Sequence, residues 1–147
     1  MGDMVLNEAL FSSATFMWAT PDHIFEELHE EFSFDLDVCA SPENKKCKRF
    51  FTEYDEAMFQ QWNGKIWCNP PYGREIGKWI EKGLFSVEQG IAKVAVYLLP
   101  ARTNTKWFHE LVLPSASEIR FIKGRLKFGG SENSAPFPSV VVIFRSP

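Results

Sequence analysis

Apolar positions along the chain switch between helical spacing and short unbroken runs, and this switching predicts an ordered series of helices and strands. After Thr20-Pro21, the residues Ile24, Phe25, Leu28 and Phe32 recur at three-to-four spacing. That predicts a helix with Thr20 as N-cap and Pro21 at its first position, ending near Glu31. Phe34 to Cys39 reads as a first strand with Asp37 near its carboxyl end. Residues 48–52 read as a short second strand, and 55–62 as a short helix turning Met58, Phe59 and Trp62 inward. Ile66-Trp67-Cys68 is a compact buried strand. Glu75 to about Val87 brings Ile76, Trp79, Ile80 and Leu84 onto one helical face, and Gly90 closes that helix. Val94 to Leu99 is a strand ending at Pro100, and Thr105 to Leu113 a shorter helix. Glu118 to Lys123 and Ser139 to Arg145 are strands on either side of a Gly-rich loop, Gly124 to Pro138. Residues 1–17 show no period and predict a flexible amino-terminal arm before a single domain, 18–147. Strands alternating with helices imply an α/β fold, with a mainly parallel sheet flanked by helices and a late antiparallel edge.

Composition narrows the function classes. A chain of 147 residues with 45% hydrophobic and 15% aromatic residues fills one core. No run approaches the ~18 apolar residues that span a membrane, and Met1-Gly2-Asp3-Met4 lacks the order of a signal peptide, so a cytoplasmic protein with no membrane partner is expected. Cys39, Cys47 and Cys68 are odd in number and unpaired in spacing, which suggests neither a disulfide framework nor a metal site. The net charge of -3 counts against a polyanionic partner unless the cations cluster. They do, as Lys45, Lys46, Lys48 and Arg49, and again as Arg120, Lys123, Arg125 and Lys127, while Glu26, Glu27, Glu30 and Glu31 gather elsewhere. Each cluster is equally readable as a solvated face.

The tetrapeptide Asn69-Pro70-Pro71-Tyr72 follows the Ile66-Trp67-Cys68 strand directly. In open α/β sheets ligands bind beyond the carboxyl ends of the strands, where these groups fall. The tetrapeptide resembles the catalytic motif of amino-group methyltransferases, whose target, an exocyclic amine such as adenine N6, is a poor nucleophile because its lone pair is delocalised into the ring. Two converging acceptors localise it. The Asn69 side-chain carbonyl supplies one and the Pro70 backbone carbonyl, held in direction by the prolines, supplies the other. Tyr72 offers a ring face for the base. The plainer alternative is a rigid turn after a strand. In Leu36-Asp37-Val38-Cys39-Ala40, the acid at a strand end resembles the motif that binds S-adenosylmethionine (SAM), with Ala40 and Ser41 where that motif carries glycine. The alternative there is an Asp capping a turn.

In order, Trp18-x-Thr20-Pro21, Leu36 to Ala40, Asp55, Trp62, Asn69 to Gly73, Gly124-Arg125-Leu126-x-Phe128 and Pro136-x-Pro138-Ser139 resemble the phage-type, Dam-like DNA N6-adenine methyltransferases over roughly residues 16 to 145. The resemblance implies a trimmed Rossmann-like SAM-dependent methyltransferase fold and methyl transfer from SAM to adenine N6. The substrate is then DNA with a flipped or single-stranded adenine, in a bacterial host cytoplasm if the gene is a phage's, by a monomer or homodimer without metal. It implies Asn69, Pro70, Pro71 and Tyr72 as catalytic, and Trp18, Thr20, Pro21, Asp37, Cys39, Ala40 and Asn69 as cofactor-binding. Asp55 resembles the acid of a further cofactor- or base-facing motif, and Glu53 competes with it as a contact to ribose hydroxyls; the alternative for both is helix capping at the surface. Lys45, Lys46, Lys48, Arg49, Arg125 and Lys127 are the candidate DNA contacts, with Phe128 stacking on or near the base; the alternative for Phe128 is a core residue. The same chemistry on RNA or a protein glutamine, and an idle DNA- or SAM-binding module, are the competing readings. His23, His29 and His109 are not needed as bases. No cysteine sits in the Pro-Cys context of cytosine methylases.

Overall fold

The computed structural model describes residues 19–129 and 133–147. The arm expected over residues 1–17, and Trp18, lie outside the described residues. Helix α1 (Asp22–Phe32) is followed by strands β1 (Leu36–Asp37) and β2 (Arg49–Phe50), then by single 3-10 turns at Glu53–Asp55 and Ala57–Phe59. Next come β3 (Gly64–Cys68), helix α2 (Ile76–Glu88) and β4 (Ala92–Pro100). A π-helical stretch, Phe108–Val112, runs into the short helix α3 (Leu113–Ser115), and β5 (Glu118–Phe121) and β6 (Ser139–Arg145) complete the order. Among the described residues the strands form one six-stranded sheet, β2-β1-β3-β4-β6-β5. The pairs β2/β1, β1/β3 and β3/β4 are parallel, and β6 is antiparallel to both β4 and β5. The mainly parallel sheet with a late antiparallel edge is thus present.

Side-chain alternation along the central strands sorts the core into two layers. Ile66, Cys68, Ala95, Tyr97 and Leu99 face Ile76, Ile80 and Val87 of α2 and Phe108 and Val112 of the π-helical stretch. Trp67, Val94, Val96 and Leu98 face Phe25 and Leu28 of α1, together with Phe34. Both faces of β3 and β4 are therefore covered, as the unbroken apolar runs require of parallel strands.

Two local expectations change. The helix at 55–62 is replaced by two separate turns, because Glu56 adopts a left-handed conformation (φ 50°) between them. That break leaves Phe59 pointing outward at 86% exposure, while Trp62 is fully buried with its Nε1 donating to the Ala57 carbonyl (2.9 Å). Thr20 is not the N-cap of α1: Pro21 occupies that position and no side chain caps the helix.

Helix α2 lies close enough to the sheet to need a residue without a side chain. A Cβ built at Gly83 would sit 1.9 Å from the Tyr97 hydroxyl and 2.9 Å from its Cζ. Tyr97 is fully buried and its hydroxyl donates to the Trp79 carbonyl (2.6 Å), so it has nowhere to retreat. Gly83→Ala should therefore lower the unfolding free energy by about 1–3 kcal/mol despite alanine's better helix propensity. Urea denaturation of Gly83→Ala, alone and with Tyr97→Phe, checks this: the second change should recover part of the loss.

Candidate active site

Parallel pairing of β1, β3 and β4, with Asp37 opposite Trp67 and Cys68 opposite Tyr97, brings their carboxyl ends to one edge of the sheet, where Asn69 follows directly after β3. Beyond that edge lies a cleft of about 890 Å³, within the range of small-molecule sites. Its walls include Val38, Cys39, Ala40 and Ser41 after β1, Thr52, Glu53 and Tyr54 after β2, and Pro71 and Trp79 from the tetrapeptide and α2.

The tetrapeptide is tightly held. Pro70 is buried. Asn69 Nδ2 donates to the Thr20 hydroxyl (3.0 Å) across 49 residues of sequence. The Tyr72 hydroxyl donates to the Leu98 carbonyl (3.1 Å), and its ring meets Phe137 and Phe128 edge-on at centroid distances of 5.6 and 6.3 Å. Burial pushes the Tyr72 phenol well above its ordinary range, so it stays neutral and keeps its donor.

Asp37 is 2% exposed and lies behind the cleft wall. Its Oδ1 accepts from the Cys39 amide (3.3 Å) and its Oδ2 from the Lys46 amide (3.0 Å), which ties down both ends of the 38–46 loop. Cys39 and Ala40 line the cleft directly. Burial raises the Asp37 carboxyl to about 7, against the lowering pull of the two amides. It also pushes the Cys39, Cys47 and Cys68 thiols up, leaving them protonated.

The rival acids separate by geometry. Glu53 lines the cleft. Asp55 turns back instead, its Oδ2 accepting from the Thr52 amide (2.6 Å) and hydroxyl (3.0 Å) in a capping box.

The two cation groups are likewise uneven. In the first, Lys46 pairs with Asp22 (2.7 Å), Arg49 donates to Asn63 (2.7 Å), Lys45 stands 4.8 Å over the Phe50 ring, and Lys48 is exposed. In the second, Arg120 is taken up by Glu31 (2.7 Å) and Glu118, whereas Lys123, Arg125 and Lys127 are exposed. Phe128 departs from expectation. At 1% exposure its ring belongs to the core beneath Tyr72 and offers no face to a base in this structure. His29 is also occupied structurally, its Nδ1 accepting from the Phe34 amide (3.1 Å).

Sequence reasoning missed Arg102, which stands 5.8 Å over the Phe137 ring beside Tyr72. Its signal was present: it sits two residues past Pro100, at the carboxyl end of the buried strand next to β3.

The family model described as DNA N-6-adenine-methyltransferase (Dam) matches residues 9–146. The chain belongs to this family. It is similar to the DNA N-6-adenine-methyltransferase of Haemophilus phage HP1 (strain HP1c1), at 32% identity over 139 residues covering 87% of this chain and 78% of that protein. It is also similar to the DNA N-6-adenine-methyltransferase of Escherichia phage T1, at 33% identity over 113 residues, or 75% of this chain. That match spans 46% of the T1 protein, about half its length. In this member of the family, then, the tetrapeptide and the cleft share one edge of the sheet. Among the described residues no helix is long and apolar enough to cross a membrane, and no His, Cys, Asp and Glu cluster forms that could hold a metal ion.

The raised Asp37 carboxyl has a consequence for stability. Unfolded, Asp37 loses its proton near its ordinary value of 3.8; folded, it keeps it to about 7. Its stabilising contribution is therefore complete below pH ~4 and is lost as pH rises through ~7, by up to about 1.4 kcal/mol per pH unit. Denaturant unfolding of wild type and Asp37→Asn between pH 4 and 8 should show the wild type losing stability relative to the variant across this window. Above it the difference should be constant.

Proposed function

We propose that the chain transfers the methyl group of SAM to N6 of adenine in DNA, with SAM in the cleft and the adenine between Asn69 and Tyr72. That it is an adenine-specific DNA methyltransferase follows from its family. The observation carrying the assignment of residues is the tetrapeptide at the end of β3, with Asn69 and Tyr72 each anchored by a hydrogen bond and Pro71 forming part of the cleft wall.

The fit to SAM rests on the cleft. Its volume suits a nucleoside-sized ligand, and its lining is largely apolar. Glu53 is the acid placed to accept from ribose hydroxyls. Cys39 and Ala40 give a close backbone approach, and Asp37 serves the cofactor through the loop it ties. When bound, SAM supplies an electrophilic methyl group. The strand order, parallel from β2 to β4 and antiparallel at β6, supports the Rossmann-like methyltransferase fold.

The chain's own residues prepare the amine. The Asn69 carbonyl and the Pro70 backbone carbonyl accept its two hydrogens, which pulls the lone pair out of conjugation and aims it. Tyr72, fixed at its hydroxyl and braced along its edge, gives the base a surface to stack on. No base is needed before transfer, because methylation itself makes the amine acidic. Burial keeps the Tyr72 phenol and the Cys39 thiol protonated beside the site.

Asn69→Ala should lower turnover by about two to four orders of magnitude while SAM affinity changes little. The assay is methylation of DNA lacking adenine methylation followed by nucleoside analysis, with calorimetry for SAM. Equal loss of rate and of SAM binding would make Asn69 structural, and product on RNA or glutamine instead of DNA would reassign the substrate.

Arg125 and Lys127 are proposed to meet phosphates beside the target base. Their joint change to alanine should weaken binding to all sequences alike and reduce the salt slope by about two, one per lost phosphate contact. An unchanged slope in a binding titration would move the DNA face to Lys45, Lys46, Lys48 and Arg49.

A further inference from the structure

Thr20 carries a hydrogen bond that helix capping does not explain. It is 5% exposed, at the start of α1, yet the helix uses Pro21 as its cap and leaves the threonine hydroxyl to another partner. That partner is the Asn69 side chain, 3.0 Å away. A carboxamide has chemically opposite ends on a nearly symmetrical flat group, and lone-pair localisation on an amine requires the carbonyl end. Committing Nδ2 to Thr20 turns the carbonyl the other way and holds the plane of the amide.

The residue before Thr20 is itself fixed from outside. Ala19 forms an antiparallel bridge with Gly129, whose amide donates to the Ala19 carbonyl (2.9 Å). A Cβ at Gly129 would meet Ala19 at an ordinary van der Waals distance (3.4 Å to its Cβ), so what joins the two segments is the backbone hydrogen bond itself. Gly129 lies two residues after Lys127 in the loop that also carries Arg125, and its neighbour Phe128 braces Tyr72. Two consecutive residues of the basic loop thus touch both ends of the tetrapeptide, Phe128 directly and Gly129 through Ala19 and Thr20.

We infer that Thr20 is a positioning residue for the Asn69 amide, held in place through the Ala19–Gly129 bridge by the loop proposed to contact DNA. This rests on the reading of Asn69 given above. In Thr20→Val, which keeps the shape and removes the hydroxyl, the single-turnover rate should fall about ten- to a hundredfold, the scale of a small misplacement of a reacting group. SAM affinity by calorimetry and DNA affinity by titration should be unchanged. Thr20→Ser should recover most of the rate. Thr20→Ala, smaller than the native side chain, gives the same reading should the valine variant not fold. Gly129→Pro, which removes the amide that donates to the Ala19 carbonyl, should show the same selective loss of rate.

Wild-type turnover in Thr20→Val or Thr20→Ala would overturn the inference, as would a loss seen wholly as weaker SAM binding, which would make Thr20 a cofactor contact. Failure of Thr20→Ser to recover rate would assign the loss to packing of the methyl group. Wild-type turnover in Gly129→Pro would remove the link to the loop. Asn69→Ala measured alongside separates the two levels: if it retains full rate the active-site reading fails, and if it is inactive while Thr20→Val is normal only this inference fails.

Discussion

Burial of both faces of the parallel strands is the constraint on which the remaining architecture depends. Along β4 nearly every side chain is apolar and inaccessible, from Ala92 to Pro100 with Lys93 as the exception. Strands of this kind have no room for a polar side chain that lacks a partner, because burying one costs several kcal/mol. Polar groups that react must therefore collect where the ladder ends. Parallel pairing places the ends of β1, β3 and β4 together, so one geometric condition gathers the Asp37 loop, the tetrapeptide and the Arg102 turn. The antiparallel β6 covers the far side of β4 and returns the chain from the basic loop to the sheet.

Precision at that edge comes from ties to distant segments. Helix α1, which presents Thr20, is fastened by ion pairs near both ends: Lys46 with Asp22 and Arg120 with Glu31. Exposed pairs of this type contribute little, typically below about 1 kcal/mol each. The greater holding force is apolar. Phe25 and Phe34 pack with Trp67 at centroid distances of 5.4 and 5.5 Å, joining α1 to the strand that carries the tetrapeptide. Arg120 and Arg145 add to these contacts by standing over the Phe32 ring at the end of the helix. The amide of Asn69 is thus oriented by a helix that is itself packed on the residue two before Asn69.

Much of this was legible in the sequence wherever a single local rule applied. Ser139 to Arg145 is a strand with the bounds its apolar run suggests, and α2 starts and stops within a residue of its periodic pattern. Legibility failed where partners are remote. Thr-Pro before an apolar period reads as a cap and first turn, but the hydroxyl finds Asn69 instead. Phe128, in a loop of glycines and cations, looks exposed by composition; the ring closes the core under Tyr72 because the loop folds back across the sheet end. Glu53 and Asp55 are indistinguishable in sequence, and a capping box within one 3-10 turn decides which faces the cleft. Each miss involves a side chain whose partner the local pattern cannot name.

The charge distribution bears on how such a small acidic protein meets a polyanion. Arg120 and Arg145 share Glu118, and Lys46 has Asp22, so several cations are spent inside the fold. Arg102, Arg125 and Lys127 remain exposed around the tetrapeptide. If only cations such as these meet phosphates, as proposed, the attraction is modest and local, since each contact contributes about one unit to the salt slope. Binding energy from a short footprint leaves little surplus for reading flanking bases. Sequence selection would then fall to the loops at 41–52 and 124–138, or stay low. It would operate mainly through whether an adenine is extruded and seated on Tyr72, a step favoured wherever the helix is already weakened or single-stranded.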